Sequence, residues 1–188
     1  MTIVIMKFGG SCLVDNEAFN KIYDITQIYN NEKKVYVASA FNGITDLLLN
    51  TAQNVNDHKV VDKNIAIIEK RHLDVIEQIF EGHLENYLKA KDWVDDKLSE
   101  LDTIFADIKE FGLEPYYQDY VLSFGEILST YILNQYLLSK GADSVFVSAN
   151  NLIITNDEFN NAYPLYSFTN IRVKESIIPF ISHVRFEI

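Results

Sequence analysis

"TIVIMKFGGS" (Thr2–Ser11) and "KKVYVASA" (Lys33–Ala40) bracket a stretch of helical periodicity, and these three pieces together decide the fold. Thr2 to Met6 is apolar and β-branched, which predicts a strand, and Gly9-Gly10 turns the chain out of it. In "NEAFNKIYDITQIYN", Phe19, Ile22 and Ile25/Tyr29 recur at helical spacing, with Asp15 placed to cap the helix. Lys33 to Ala40 then predicts a second strand. Two strands joined through a helix predict a right-handed βαβ unit in a parallel sheet, hence an α/β fold.

Working outward, Asn42-Gly43 predicts a turn and Thr45 a possible N-cap for the helix in "FNGITDLLLNTA". From about Asp57 to Phe111 nothing reads as strand. Ile65, Ile68, Leu73, Ile76 and Phe80 mark one long helix. Leu84, Leu88, Val94, Leu98, Leu101, Phe105 and Ile108 mark a second, with the break at Glu81–His83. "YVLSFGEILSTYILNQYLLSKG" predicts a further apolar helix closed by Gly141. "ADSVFVSAN" (Ala142–Asn150) is expected to be a strand, and "ESIIPFIS" (Glu175–Ser182) a last strand in which Pro179 demands an edge or first position.

The chain's 27 acidic residues against 16 Lys and Arg give a formal charge of −11, which offers no long-range attraction to nucleic acid or anionic membrane. An anionic ligand therefore needs a local pocket. No apolar run reaches the ~18 to 20 residues of a membrane span, and no secretory leader is present, so a soluble, cytoplasmic protein is expected. The single cysteine, Cys12, cannot form an intramolecular disulfide and is expected to serve packing. His58, His72, His83 and His183 show no zinc-like spacing, so no metal site is expected. The tyrosines and phenylalanines are spread over apolar helix faces and strands, as core residues would be.

"KFGGS" (Lys7–Ser11) carries the chemistry. Glycines let backbone N–H groups approach phosphate oxygens, and a lysine offsets the charge that grows during phosphoryl transfer. It is not a Walker A loop, whose lysine follows the last glycine. An ordinary strand-to-helix turn with an exposed lysine is the alternative from these residues alone. Glu126 poses a similar choice: buried among Phe124, Ile127 and Leu128 it would need a cationic partner, and on the surface it would need none.

In the order "KFGGS", "SAFNGITDLL" (Ser39–Leu48), "SFGEILST" (Ser123–Thr130) and "TNDEFNNA" (Thr155–Ala162), the chain resembles the aspartokinase branch of the amino-acid kinase family. The resemblance implies a three-layer αβα domain with a mainly parallel sheet. It implies phosphoryl transfer from MgATP to the side-chain carboxylate of L-aspartate, the first step towards the aspartate-family amino acids, lysine among them. Lys7, Gly9, Gly10 and Ser11 would face the transferred phosphate, with Lys7 catalytic. Ser39, Ala40 and Thr45 would line the substrate pocket, shaped by the Phe41–Gly43 turn, and Glu126 would recognise the substrate's α-amino group.

By that resemblance, residues 1–188 form the amino-terminal, substrate-side part of such a domain, with a helical segment at about 57–111. Most of the ATP site, a catalytic aspartate, an arginine for the substrate and the regulatory domains are expected in a part beyond "SHVRFEI". The chain alone is thus expected to be an incomplete or inactive kinase. A homo-oligomer, or a separate carboxyl-terminal half, is the expected partner. The alternative function is a non-catalytic amino-acid-binding or assembly module.

Overall fold

Met6 and Phe8 anchor β1 (Ile3–Phe8) to the core, and Ala38 does the same for β2 (Lys33–Ala38). A computed structural model of the protein describes residues 2–182. The two strands pair in parallel, with Ile5 opposite Val35 and Lys7 opposite Val37, and α1 (Asn16–Ile28) makes the crossover between them. Asp15 caps α1 as expected, its carboxylate accepting from Ala18 N–H at 2.8 Å. The buried stripe of α1 is Phe19, Ile22 and Thr26, while Ile25 and Tyr29 face solvent.

α2 (Ile44–Gln53) begins differently from the expectation. Its N-cap is Gly43, in the left-handed region at φ 79°, and Thr45 lies one residue inside the helix, exposed and capping nothing. The turn demands a positive φ just where the helix starts, and glycine meets that demand at least cost. α3 (His58–Ile79) and α4 (Leu84–Phe111) fill the helical middle, and the break falls at the expected place, with Gly82 at φ 80° between them. Val94, Leu98, Leu101, Phe105 and Ile108 are buried along α4, but Leu84 and Leu88 at its start are exposed.

α5 (Pro115–Ser139) is the central helix. Proline at its first position loses no hydrogen bond, because a helix's first N–H groups have no partner within it. Phe124, Leu128, Ile132, Leu133, Tyr136 and Leu137 are all buried, each worth roughly 1.5–3 kcal/mol of burial. Gly141, at φ 79°, closes it: Gly141 N–H donates to Leu138 and Ala142 N–H reaches back to Leu137 at 3.0 Å, a Schellman cap.

Beyond Gly141 the expectations fail twice. Ala142–Ser148 forms no strand and Ala149–Asn151 is a 3-10 turn, because a strand exists only through a ladder and neither β1 nor β2 offers this segment one. Glu175–Ser182 is helical, the end of α6 (Tyr166–Ser182). Pro179 lies inside α6, where it removes the bond back to Glu175, and does not mark an edge strand. The expected segment after Ser182, including His183, lies outside the described residues.

Met6, Phe8 and Ala38 belong to the core that includes residues of α2 and α5, while Ile3, Ile5, Lys7 and Val37 of the same two strands are exposed, with Ile5 71% exposed. No helix among the described residues is long and apolar enough to cross a membrane.

Candidate functional site

Ala40, one of the expected site residues, is where Gly10 and the "SFGEILST" segment of α5 meet. It follows β2, is buried, and touches two glycines on separate elements. A Cβ on Gly10, in the 3-10 turn after β1, would overlap the carbonyl oxygen of Ala40 and come within 3.0 Å of Asn42 N. A Cβ on Gly125, in the middle of α5, would fall 2.6 Å from the Cβ of Ala40. The strand ends are tied to the same place: Ser39 N–H donates to Phe8 at 3.0 Å, and Ser129 of α5 donates its hydroxyl to Ser39 carbonyl at 2.8 Å.

The polar groups named by the sequence lie on the elements whose residues meet at Ala40: Lys7 on β1, Ser11 in the turn after it, Thr45 on α2 and Glu126 on α5. Lys7, Ser11, Thr45 and Glu126 are all exposed, so their ends are free to meet a ligand. Ser39 is half-buried, and Gly9 has open space where a side chain would stand. Glu126 therefore resolves the earlier choice in favour of the surface: it has no buried partner to satisfy, and its place is set by Gly125 beside it. Cys12 is exposed rather than packed. The carboxyl ends of β1 and β2 and the start of α2 meet here, which is where ligands collect in open α/β sheets.

Two residues that sequence reasoning passed over lie against the turn. His72 of α3 is fully buried and stacks on Phe41, ring centroids 4.8 Å apart and planes 17° apart. Its Nδ1–H donates to the Ile68 carbonyl at 2.7 Å, which fixes the tautomer and leaves Nε2 an acceptor without a donor. Burial lowers its pKa to about 4, outweighing the Ile68 bond, and the charge of Arg71 lowers it further. The neighbouring Arg71 reaches the other end of the turn, Nη1 lying 3.6 Å from where a Gly43 side chain would begin. One signal could have exposed this pair: a histidine inside the stripe Ile68, His72, Val75, Ile76, Ile79 has no reason to be there as simple cover.

A cavity of about 330 Å³ lies elsewhere, between α4, α5 and the segment after Gly141, lined by Trp93, Lys97, Glu100, Tyr120, Phe146 and Asn150 among others. None of the expected site residues lines it. Its size alone does not make it the site, because the convergent contacts are at Ala40. Among the described residues no three His, Cys, Asp or Glu side chains come together as metal ligands.

A profile of the amino acid kinase family matches residues 2–182. The lysine-sensitive aspartokinase 3 of Escherichia coli is 29% identical over 170 residues, covering 86% of this chain and 34% of its own length. Chloroplastic aspartokinase 2 of Arabidopsis thaliana is 27% identical over 197 residues, covering 95% and 34%. The chain thus spans about a third of the length of these relatives. Its structure superposes on E. coli aspartokinase III in complex with aspartate and ADP (R-state) with a TM-score of 0.84, at 22% identity, over 96% of this chain and 39% of that one. The lysine and aspartate complex (T-state) gives 0.78.

Proposed function

The chain belongs to the amino acid kinase family, and from that premise we propose that it is the substrate-binding part of an aspartate kinase. L-aspartate sits over the Ala40–Gly43 turn, its side-chain carboxylate towards Lys7 and the glycine turn, its ammonium towards Glu126. Ser39 and Thr45 hydrogen-bond it. A carboxylate oxygen attacks the γ-phosphorus of ATP, the bond to the β-phosphate oxygen breaks, and ADP leaves as 4-phospho-aspartate forms. The nucleophile is already ionised at neutral pH, so the step needs no general base, only alignment and charge stabilisation. Gly9, Gly10 and Ser11 present backbone N–H groups to the transferred phosphate, and Lys7 answers its charge. Magnesium enters with ATP as part of the co-substrate.

The observation that carries this proposal is the convergence of Gly10, Gly125 and the Phe41–Gly43 turn on Ala40. Three separated motifs meet there, and the polar residues beside them are left exposed. The aspartate and ADP complex of the structural neighbour supports the choice of ligands. Turnover by residues 1–188 alone is expected to be slow or absent, since losing one positioned electrostatic partner costs ~10²-fold or more in rate. The family's third layer, the rest of the ATP site and the cytoplasmic setting belong to this proposal as well.

Thermal unfolding with added amino acids tests it. L-aspartate at ~100 times its Kd should stabilise the chain by about 2.7 kcal/mol, with D-aspartate and L-glutamate giving much less. Equal shifts for all three, or none, would contradict an aspartate site. The open face of Ile3, Ile5 and Val37, with the exposed Tyr166, Phe168 and Phe180 of α6, favours a second role in assembly. Light scattering at micromolar concentration should then give a dimer or larger, and a monomer mass would remove that role.

A further inference from the structure

The cavity between α4, α5 and the segment after Gly141 lies apart from the residues assigned to aspartate and phosphate, and its volume of about 330 Å³ suits a small ligand. Its walls are Trp93 of α4, Phe124 and Ile127 of α5, and Phe146 and Val147 beyond Gly141. Phe124 is buried and the other four are half-buried, so the space is bounded by apolar surface. Aromatic packing holds these walls in place: Tyr131 stacks on Trp93 with centroids 4.2 Å apart, and Phe146 meets both in T-shaped contacts.

The charges at the cavity are already balanced. Lys97 donates to Glu100 at 2.7 Å, Tyr120 donates its hydroxyl to the same carboxylate at 2.6 Å, and Lys97 Nζ stands 4.8 Å from the centre of the Trp93 ring. Asp96 lies a further 3.6 Å from Lys97, so a carboxylate or phosphate would find no free cation here. An uncharged ligand leaves this arrangement intact.

Two polar groups at the cavity are unused. Trp93 Nε1–H is buried and has no acceptor among the described residues, and an unpaired buried donor is costly. Asn151 is exposed at the rim, and its side chain makes no hydrogen bond among the described residues. Asn150 beside it differs, because its Oδ1 accepts from the Ser148 hydroxyl. An amide with donor and acceptor both free can grip a ring edge on which an acceptor adjoins a donor, as N7 and the amino group of adenine do. Flat apolar walls suit the ring itself.

We infer that this cavity is a binding site for an uncharged, amino-substituted heteroaromatic ring of the adenine kind, gripped at one edge by Asn151 and enclosed by Trp93, Phe124 and Phe146. The site is distinct from that of the MgATP co-substrate, whose phosphates need cations that this cavity does not offer. It is also distinct from the Ala40 turn, since α5 sets Gly125 against Ala40 and turns Phe124 and Ile127 to the cavity.

Trp93 is the chain's only tryptophan, so its fluorescence reports on the cavity. The test titrates the full chain with adenine and with purine, which lacks the amino group, following Trp93 emission and the heat of binding in parallel. Adenine should change the emission saturably, with the midpoint given by the heat. Wild type should prefer adenine to purine by roughly 2- to 10-fold, the span of one hydrogen bond. Asn151→Ala should bind the two rings alike and keep the wild-type circular dichroism, because the side chain makes no bond within the chain. Asn151→Leu, which keeps the bulk without the amide, serves if the alanine variant unfolds. No saturable change in emission up to ~1 mM adenine, or a heat of binding that leaves the emission unchanged, would overturn the site. Wild type that binds both rings alike, or variants that keep its preference, would overturn the assignment of the ring edge to Asn151.

Discussion

Around Ala40, two glycines from different elements touch one residue and leave no room for a Cβ, whereas beyond Gly141 Tyr166 and Phe168 stand 73% and 60% exposed. The first region satisfies itself: β1 and β2 pair, Ser129 fixes Ser39, and His72 fixes Phe41. The second leaves its aromatic side chains and much of its backbone unpacked among the described residues. Its backbone from Ala142 to Ser148 joins no ladder, and α6 buries little besides Thr169 and Ile181. The difference separates contacts that can be made locally from contacts that need a further surface.

Filling the glycine contacts is the most severe way to break the tight region. Gly10→Ala and Gly125→Ala should each destabilise by about 3 kcal/mol, because backbone or a short side chain faces the new Cβ and neither can rotate away. Gly9→Ala should cost far less, since nothing lies within 4 Å of its Cβ position and its φ of −77° suits any residue. Urea denaturation of the three variants checks this, and equal losses at Gly9 and Gly10 would contradict the packing described.

Acid should act on the same region through His72. Its folded pKa, about 4, lies below the ordinary 6.5, so between those values the unfolded chain binds the extra proton. Stability is therefore lost as pH falls from about 6.5 towards 4, by up to about 3 kcal/mol. Glu100, held low chiefly by its bond from Lys97 and then by that from Tyr120, loses its contribution only as pH falls through its own depressed value. His72→Phe keeps a ring against Phe41 and removes the titration. Its stability should vary less with pH across that window, and an unchanged profile would show that His72 is not the group responsible.

The loose region should respond least. In chain diluted until it is monomeric, Tyr166→Ser and Phe168→Ser should each change stability by no more than about 0.5 kcal/mol in chemical denaturation, as exposed positions do. A loss above about 2 kcal/mol would mean that α6 is packed against something, and the contrast between the regions would fall.

This contrast also explains what could be read from the residues alone. The βαβ start, the Asp15 cap, the break at Glu81–His83 and the Gly141 closure are set by signals within a few residues, and all appear in the structure. Ala142–Asn150 and Glu175–Ser182 have strand-like composition, but strand formation depends on a neighbour that composition does not record. Thr45 looked like a cap because Thr is a good one, while the left-handed Gly43 took that position. At the site, the glycine turn and the Ala40 turn were readable as motifs. Arg71 and His72 were not, because their place against the turn comes from α3 crossing beneath Phe41, a contact about 30 positions away in the chain.

The most direct test of the central claim is calorimetric titration of the purified chain with L-aspartate, with and without MgATP, repeated on Glu126→Ala. Binding without ATP, lost in Glu126→Ala, is the result expected of a substrate site built around Ala40. No binding under either condition, or binding that Glu126→Ala leaves intact, would contradict it.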